Sequence, residues 1–558
     1  MRFHHLWLAL TILPAFPGLA KPAPSSGPVA HLASGTVQGR SQGDIAVFEG
    51  IPFAAPPVGP LRWREPQPVT NWSGIREATK PSHPCIQNVQ GLNTFLAPLA
   101  TAYHAAYTPE TVDPSEDCLY LNVWTPEKAV HLPVMVWVHG GSNRVGSGTE
   151  TGYDGAILAS YGVIVVTVNY RLGVMGFFSH PELTAESPHN SSGNYGLLDQ
   201  IAALKWVQQN IAQFGGDPGN VTLFGESAGS VDAMILMTSP LSKGLFRKVI
   251  AESGPGFGLG PVRSVSDMAA LGDAVGKTAG GPPGSQLQAL RQIPAAQVAQ
   301  IEDRLIATQF KGNNPNAPIV DGWVLPLSPA HAFASGAIQK VDLMAGFNAR
   351  EWSAFRIGAE AATKSSGNAP PKPSVSDLFK QTADRTRPLY GNWTDLMIVT
   401  YMARMMVGGA AAVDQTTSDT MFACPIGAEA ALTASAGQHA YVYRFDRSVP
   451  GPGESDLGAF HSLELPYVFG TFGAPFFNWL PFNATDHKLS RVMQTYWTNF
   501  AKSGNPNGPG LPNWADWNAD GEPYLSFGEN GDAIPSQGFS PLYCHLSADR
   551  LKEVLTAN

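Results

Sequence analysis

The sequence predicts an α/β fold: a large, mostly parallel, twisted central sheet with helices on both faces and helical insertions over the end that carries the site. Three observations predict it. Short apolar runs such as Val134-Met-Val-Trp-Val138 and Val163-Ile-Val-Val-Thr-Val168 read as buried strands. They alternate with segments of helical periodicity, the pattern of a parallel sheet covered by helices. Third, Val221-Thr-Leu-Phe-Gly-Glu-Ser-Ala-Gly-Ser230 sets one serine between two glycines where an apolar run ends and a helix-forming run begins. Val221 to Phe224 reads as a buried strand, and Ala228 onward, with Val231, Ala233, Met234, Leu236 and Met237, as a helix packed close against it. Such a Gly-x-Ser-x-Gly turn holds its serine, here Ser227, in a strained backbone conformation with the hydroxyl lifted clear. The helix N-terminus behind it offers free N–H groups to a negative oxygen.

At 558 residues the chain has room for three or four domains of ~150 residues each. Met1 to Ala20 has a basic start at Arg2, an apolar run from Leu6 through Leu13, and small residues at Gly18 and Ala20. That is the pattern of a secretory signal cleaved at Ala20. The run is too short to span a bilayer, and no later stretch reaches ~20 apolar residues. The expectation is an exported protein, secreted or periplasmic, with no membrane span. Only 14% of residues are charged and the net charge is -9, which gives no electrostatic basis for binding nucleic acid or an anionic membrane. Export permits disulfides among Cys85, Cys118, Cys424 and Cys544, with three full pairings open. Five Asn-x-Ser/Thr sequons begin at Asn71, Asn190, Asn220, Asn392 and Asn483.

Along the chain, Gly35-Thr-Val-Gln-Gly39 and Ala46-Val-Phe-Glu-Gly50 read as short strands, followed by the Pro-rich segment Ile51 to Pro68. The stretch between Cys85 and Cys118, with Phe95, Tyr103, His104 and Tyr107, reads as an irregular surface loop. Ile201, Leu204, Val207, Ile211 and Phe214 recur at helical spacing from Leu198 to Phe214, and the turn Gly215 to Asn220 ends that helix before the strand at Val221. Lys248 to Ala251 and Val341 to Ala345 are further strands. Residues 260 to 335 read as a helical insertion over one end of the sheet, and Thr363 to Pro373 as a mobile loop. The chain is helical again until the strand Ala440 to Phe445. A last amphipathic helix carries Leu489, Val492, Met493, Tyr496, Trp497 and Phe500.

A serine hydroxyl is a poor nucleophile until a base takes its proton, and the base needs an acid to fix its tautomer. In hydrolases built on this turn the chain order is serine, acid, histidine. Most of the 14 histidines, His180, His331 and His487 among them, sit in ordinary loops or at helix ends. His461 differs, because the glycine-rich loop Pro450 to Gly458 carries it from the strand Ala440 to Phe445 toward the sheet's C-terminal edge. Glu351 follows the strand Val341 to Ala345, although by position alone Asp321 is an equal rival. A developing oxyanion needs backbone donors. His139-Gly-Gly-Ser142, at the end of a predicted strand, supplies small residues, and two of their amides with that of Ala228 give three.

Longer blocks join these motifs: Phe48-Glu-Gly-Ile-Pro-Phe53, Pro56-Pro-Val-Gly-Pro-Leu-Arg62, Ser115-Glu-Asp-Cys-Leu-Tyr-Leu-Asn-Val-Trp124, Asn169-Tyr-Arg-Leu-Gly173, Gly193-Asn-Tyr-Gly-Leu-Leu-Asp199 and Phe460-His-Ser-Leu-Glu-Leu-Pro466. With them the chain resembles, over nearly its whole mature length, the type-B carboxylesterases, a carboxylesterase/cholinesterase-like family of the α/β-hydrolase fold. The resemblance implies a single domain over residues 21–558 after a signal peptide over 1–20. It implies a secreted serine hydrolase that cleaves small carboxylic esters through an acyl-enzyme, with no cofactor and no metal. By motif match the nucleophile falls on Ser227, the acid on Glu351 and the base on His461. The oxyanion donors fall on Gly141, Ser142 and Ala228, and the family's first disulfide on Cys85 and Cys118. Cys424 and Cys544 match no family pairing. Lipase, lactonase or amidase activity on the same triad, and a non-catalytic cholinesterase-like binding protein, stay open as alternatives, as does the oligomeric state. Three departures stand out. Ser142 replaces the family's third glycine. Asn143 and then Arg144 occupy the position where an aromatic residue often follows, which favours a polar or anionic ester. The Cys85 to Cys118 loop lacks the tryptophan with which cholinesterases hold a quaternary ammonium.

Overall fold

A computed structural model describes residues 27–538 and Cys544, except residues 89, 260–262, 309–316, 519 and most of 366–410. The signal stretch Met1 to Ala20, residues 366–373 of the expected loop, and Asn392 lie outside the described residues.

Apolar runs without polar alternation have to be covered on both faces, and here they are laid side by side in one sheet. Among the described residues eleven strands form it, in the spatial order Ala533–Gln537, Pro523–Phe527, Ala440–Phe445, Asp342–Asn348, Lys248–Glu252, Gly216–Glu226, Leu132–Val138, Ile164–Val168, Tyr120–Pro126, Ile45–Pro52 and Arg40–Gln42. Every pairing from Pro523–Phe527 across to Ile164–Val168 is parallel, and the pairings outside that block are antiparallel. Alternate residues of one strand feed two cores. Val134, Val136 and Val138 pack with Ile201, Leu204 and Val207 of the helix Tyr195–Asn210. Met135 and Trp137 face the other way, toward Met493, Tyr496 and Trp497 of the helix Ala484–Ser503. The architecture is that of the α/β-hydrolase fold, as expected.

The insertion is helical, with helices Val265–Thr278, Gln286–Gln292, Ala295–Thr308 and Pro329–Ala334. It also holds a two-stranded pairing of Arg263–Ser264 with Ile319–Val320 that no periodicity announced.

Other elements differ from expectation. The stretch between Cys85 and Cys118 is not an irregular loop, because it contains the helix Gln90–Ala102. Leu96, Leu99, Ala100 and Tyr103 are buried at helical spacing, and Phe95 packs on Phe355 with ring centroids 5.5 Å apart. Pro98 inside the helix concealed the pattern, since an interior proline removes one backbone hydrogen bond. The helix before the central strand ends at Asn210 and continues as a 3-10 turn over Ile211–Phe214, closed by Gly215 at φ 80°. The strand then begins at Gly216 rather than after a turn to Asn220, because Gly216 pairs with Leu132 ahead of a register shift. The last two strands, Pro523–Phe527 and the edge strand Ala533–Gln537, were not anticipated.

Two disulfides are present, Cys85–Cys118 and Cys424–Cys544. The first spans 33 positions and ties the base of the segment carrying Gln90–Ala102. Replacing Cys85 and Cys118 together by alanine is expected to destabilise the protein by ~3–4 kcal/mol on the chain-entropy model. Thermal unfolding checks this, and an unchanged midpoint would contradict it.

Candidate active site

The turn around Ser227 is made by close backbone contact. A β-carbon on Gly229 would lie 2.0 Å from the Val138 carbonyl oxygen, and one on Gly225 would lie 2.6 Å from the Gly229 carbonyl carbon. Only residues without side chains let the helix Ala228–Leu236 approach the sheet this closely. Ser227 between them has φ 54° and ψ -124°, a conformation costing an L-residue on the order of 1–3 kcal/mol. It is held by its own N–H donating to the Glu252 carbonyl at 2.9 Å and by Val231 N–H donating back to the Ser227 carbonyl at 2.9 Å. The hydroxyl reaches a cavity of about 440 Å³.

Strand order brings distant residues to this point. Ser227, Glu351 and His461 all follow the C-terminal ends of strands in the one parallel block, Gly216–Glu226, Asp342–Asn348 and Ala440–Phe445, with Lys248–Glu252 between the first two, where open α/β sheets form their clefts. Glu351 opens the helix Glu351–Ser365, fully buried, and its Oε1 accepts the Asn348 N–H at 2.7 Å. Its Oε2 lies 2.6 Å from His461 Nδ1, and His461 Nε2 lies 2.9 Å from Ser227 Oγ. With Nδ1–H directed at the carboxylate, Nε2 is left to accept from the serine. Asp321 is engaged elsewhere: its Oδ2 accepts from Ser191 Oγ at 2.6 Å, and its Oδ1 from the N–H groups of Trp323 and Leu325.

Further acids surround the histidine that sequence reasoning assigned no part. Glu226 Oε1 lies 3.2 Å from His461 Nε2 and accepts from Ser462 Oγ at 2.6 Å. Burial pulls the His461 imidazole down, but the Glu226 and Glu351 carboxylates outweigh it and hold the group above its ordinary 6.5. Burial pushes the Glu226 carboxyl up, opposed by His461 and by the Ser462 hydroxyl. Behind them Glu464 is bonded to Asn348 Nδ2, and burial with neighbouring carboxylates holds it well above the ordinary carboxyl range. Burial also pushes Glu252 up to about 8, while it accepts from Trp497 Nε1 at 2.8 Å. Glu226 and Glu464 were visible beside the key residues, in Gly225-Glu-Ser-Ala-Gly229 and His461-Ser-Leu-Glu464, but nothing local says that they are buried.

The glycine turn after Leu132–Val138 lies directly against the serine. A β-carbon on Gly140 would come 3.1 Å from Ser227 Cβ and 2.7 Å from Glu226 Oε2. Gly141 has φ 99°, and Ser142 and Asn143 stay in the left-handed region at 58° and 56°. Gly141 and Ser142 line the same cavity as Ser227 and His461, and Ala228 is the first residue of the helix behind. Among the described residues, the N–H groups of Gly141 and Ala228 have no protein acceptor.

Asn143 and Arg144 do not make the positive rim that an anionic ester would need. The Asn143 side chain is buried and donates to Asp232 Oδ1 at 3.2 Å. Arg144 lines the cavity, but its guanidinium is paired with Asp303 on the helix Ala295–Thr308, which also accepts from Asn88 Nδ2 at 3.0 Å. The charge is matched within the protein. The remaining lining mixes apolar Phe95, Val174, Met175, Phe355, Leu465 and Phe476 with the acids Glu150 and Glu302. Among the described residues no group of three His, Cys, Asp or Glu side chains is placed to hold a metal ion, and no helix is long and apolar enough to cross a membrane.

The model of the carboxylesterase family matches residues 26–540. Fumonisin B1 esterase of Sphingopyxis macrogoltabida is 38% identical over 522 residues, which cover 92% of this chain and 88% of that protein. Human (Homo sapiens) cocaine esterase is 35% identical over 496 residues, covering 86% and 82%. Among solved structures, a carboxylesterase of Geobacillus stearothermophilus superposes with a TM-score of 0.78 at 30% identity, over 93% of this chain and 99% of that one.

Proposed function

The chain belongs to the carboxylesterase family and is a carboxylic-ester hydrolase, and from that premise we propose that it works through an acyl-enzyme on Ser227 and acts outside the cytoplasm. The observation that carries the mechanism is the unbroken relay from Ser227 Oγ to His461 Nε2 at 2.9 Å and from His461 Nδ1 to Glu351 Oε2 at 2.6 Å. Ser227 Oγ attacks the ester carbonyl while His461 Nε2 takes its proton, and Glu351 holds the Nδ1–H and stabilises the imidazolium. The N–H groups of Gly141, Ser142 and Ala228 receive the oxyanion. Collapse of the tetrahedral intermediate expels the alcohol, protonated by His461. Water then repeats the sequence on the acyl group and frees the acid.

The substrate is a small ester. The cavity of about 440 Å³ lies within the size range of small-molecule pockets. Fumonisin B1 esterase and cocaine esterase are named for different esters on one family framework, so the cavity lining, rather than the serine relay, sets the preference. Export is supported by the signal pattern over Met1 to Ala20 and by the two disulfides, which persist in oxidising compartments. Residues 21–558 then form the single mature domain.

Two measurements test this reading. On a panel of p-nitrophenyl esters from acetate to long-chain acyl groups, the unaltered protein is expected to turn over short esters. Ser227→Ala is expected to lose at least ~10³-fold in kcat; a variant that keeps its activity removes Ser227 from the mechanism, and preference for long chains moves the assignment to a lipase. The second test is pH. His461 must be neutral to accept the proton, and its acids hold its pKa above 6.5, so the acidic limb of kcat/KM lies above pH 6.5. Glu226→Gln removes one carboxylate that favours the imidazolium, lowers the His461 pKa and moves the limb toward lower pH. A limb that stays in place would show that Glu226 does not set it.

A further inference from the structure

Two separate segments carry the amides assigned to the oxyanion: the turn Gly141–Ser142 after one strand, and Ala228 at the start of the helix Ala228–Leu236. A donor set divided in this way works only if the two segments keep a fixed separation, because an oxyanion bond weakens sharply with distance and angle. A side-chain bond joins them. Asn143, next to Ser142, donates through Nδ2 to Oδ1 of Asp232, 3.2 Å away and one helical turn beyond Ala228.

Each end of that bond has anchors of its own. The Tyr170 hydroxyl lies 3.0 Å from Asn143 Oδ1, and the Gly173 N–H donates to the Asn143 carbonyl at 2.7 Å. Asp232 Oδ2 accepts from Gln200 Nε2 at 2.6 Å. Asp232 is fully buried and Asn143 is 3% exposed, so water does not compete for these partners. Burial, tempered by the bonds from Gln200 and Asn143, raises the Asp232 carboxyl to about 7. Neither side chain lines the cavity, so neither touches substrate.

We propose that Asn143 and Asp232 are positioning residues: their hydrogen bond braces the glycine turn against the serine-bearing helix and so sets the geometry of the oxyanion site. The proposal rests on the reading of Ser227 as nucleophile with Gly141, Ser142 and Ala228 as donors. It also accounts for a polar residue at 143, where the family often has an aromatic one: the side chain is turned inward to the helix.

The test is steady-state kinetics of Asn143→Ala, Asp232→Ala, the double variant and Asp232→Asn, each normalised to the number of serines titrated by a fluorophosphonate. A brace acting in the transition state predicts a fall in kcat of ~10–100-fold in either alanine variant with KM shifted less than ~3-fold. The double variant falls no further than the worse single, because both remove one bond. Asp232→Asn keeps an acceptor for Asn143 and a partner for Gln200 once that amide turns over, so it retains kcat within ~5-fold of the unaltered protein. Unchanged kcat per titrated serine in Asn143→Ala, a rise confined to KM, additive losses in the double variant, or a deficit seen only as fewer titratable sites would each overturn the brace. If the unaltered protein is not labelled at Ser227, the nucleophile reading fails and the brace fails with it; if labelling is complete and Asn143→Ala is fully active, the brace alone fails.

Discussion

The helix Ala228–Leu236 meets the sheet backbone to backbone, with no room for even one β-carbon between Gly229 and the Val138 carbonyl. Three features of the site descend from that contact. It forces the turn to reverse within a single residue, which drives Ser227 to φ 54° and lifts its hydroxyl off the sheet. It aims the helix N-terminus, with its unpaired N–H groups and partial positive charge, at the space beside that hydroxyl. It also brings the turn after the neighbouring strand against the serine at Gly140, where an added β-carbon would come 3.1 Å from Ser227 Cβ. The strain at Ser227 is sustained because strands on both sides hold the turn, through Glu252 on one and Val138 on the other.

A second constraint is electrostatic. His461, Glu351, Glu226, Glu464 and Glu252 are all buried within the same layer, an arrangement that would repel if every carboxyl were charged. Burial settles the conflict unevenly. The two acids nearest the imidazole favour its charged form, while burial pushes Glu464 and Glu252, and Glu226 itself, up the scale. A neutral carboxyl is a hydrogen-bonding strut rather than a charge. Glu464 serves in that way to Asn348, the residue whose own N–H orients Glu351. The relay is therefore backed by buried carboxyls that accept hydrogen bonds from Asn348 and Trp497.

What could be read from the sequence follows from the range of each interaction. The serine turn and the central strands were legible because each depends on residues within a few positions of one another, whereas Glu351 and His461, far along the chain from Ser227, were assigned through chain order and the family resemblance. Packing across the fold was not. Pro98 hid the helix Gln90–Ala102, although Leu96, Leu99, Ala100 and Tyr103 mark its buried stripe. Glu226 sits beside Ser227 in the chain, yet its influence on His461 depends on a loop more than two hundred residues away. Arg144 read as a free cation because its partner, Asp303, belongs to the insertion. Asn143 read as favouring a polar ester because nothing nearby shows that its side chain turns inward to Asp232.

The insertion, finally, is not a detached cover. On the helix Ala295–Thr308 two successive acids tie it to three other segments: Glu302 accepts the Val174 N–H at 3.0 Å, and Asp303 holds Arg144 and Asn88. Val174 follows the segment whose Gly173 N–H holds Asn143, and Asn88 leads into the helix Gln90–Ala102, so each tie ends on a segment that lines the cavity. A change in one tie is felt by the others, because the segments share a wall rather than stand apart. Ser227, His461 and Glu351, by contrast, hang from the ends of sheet strands and the glycine contact, with no bond to Glu302 or Asp303 among those that fix their spacing. Arg144, Asp303, Asn88 and Glu302 thus form a connected set in the cavity wall, distinct from the contacts that fix the Ser227, His461 and Glu351 distances.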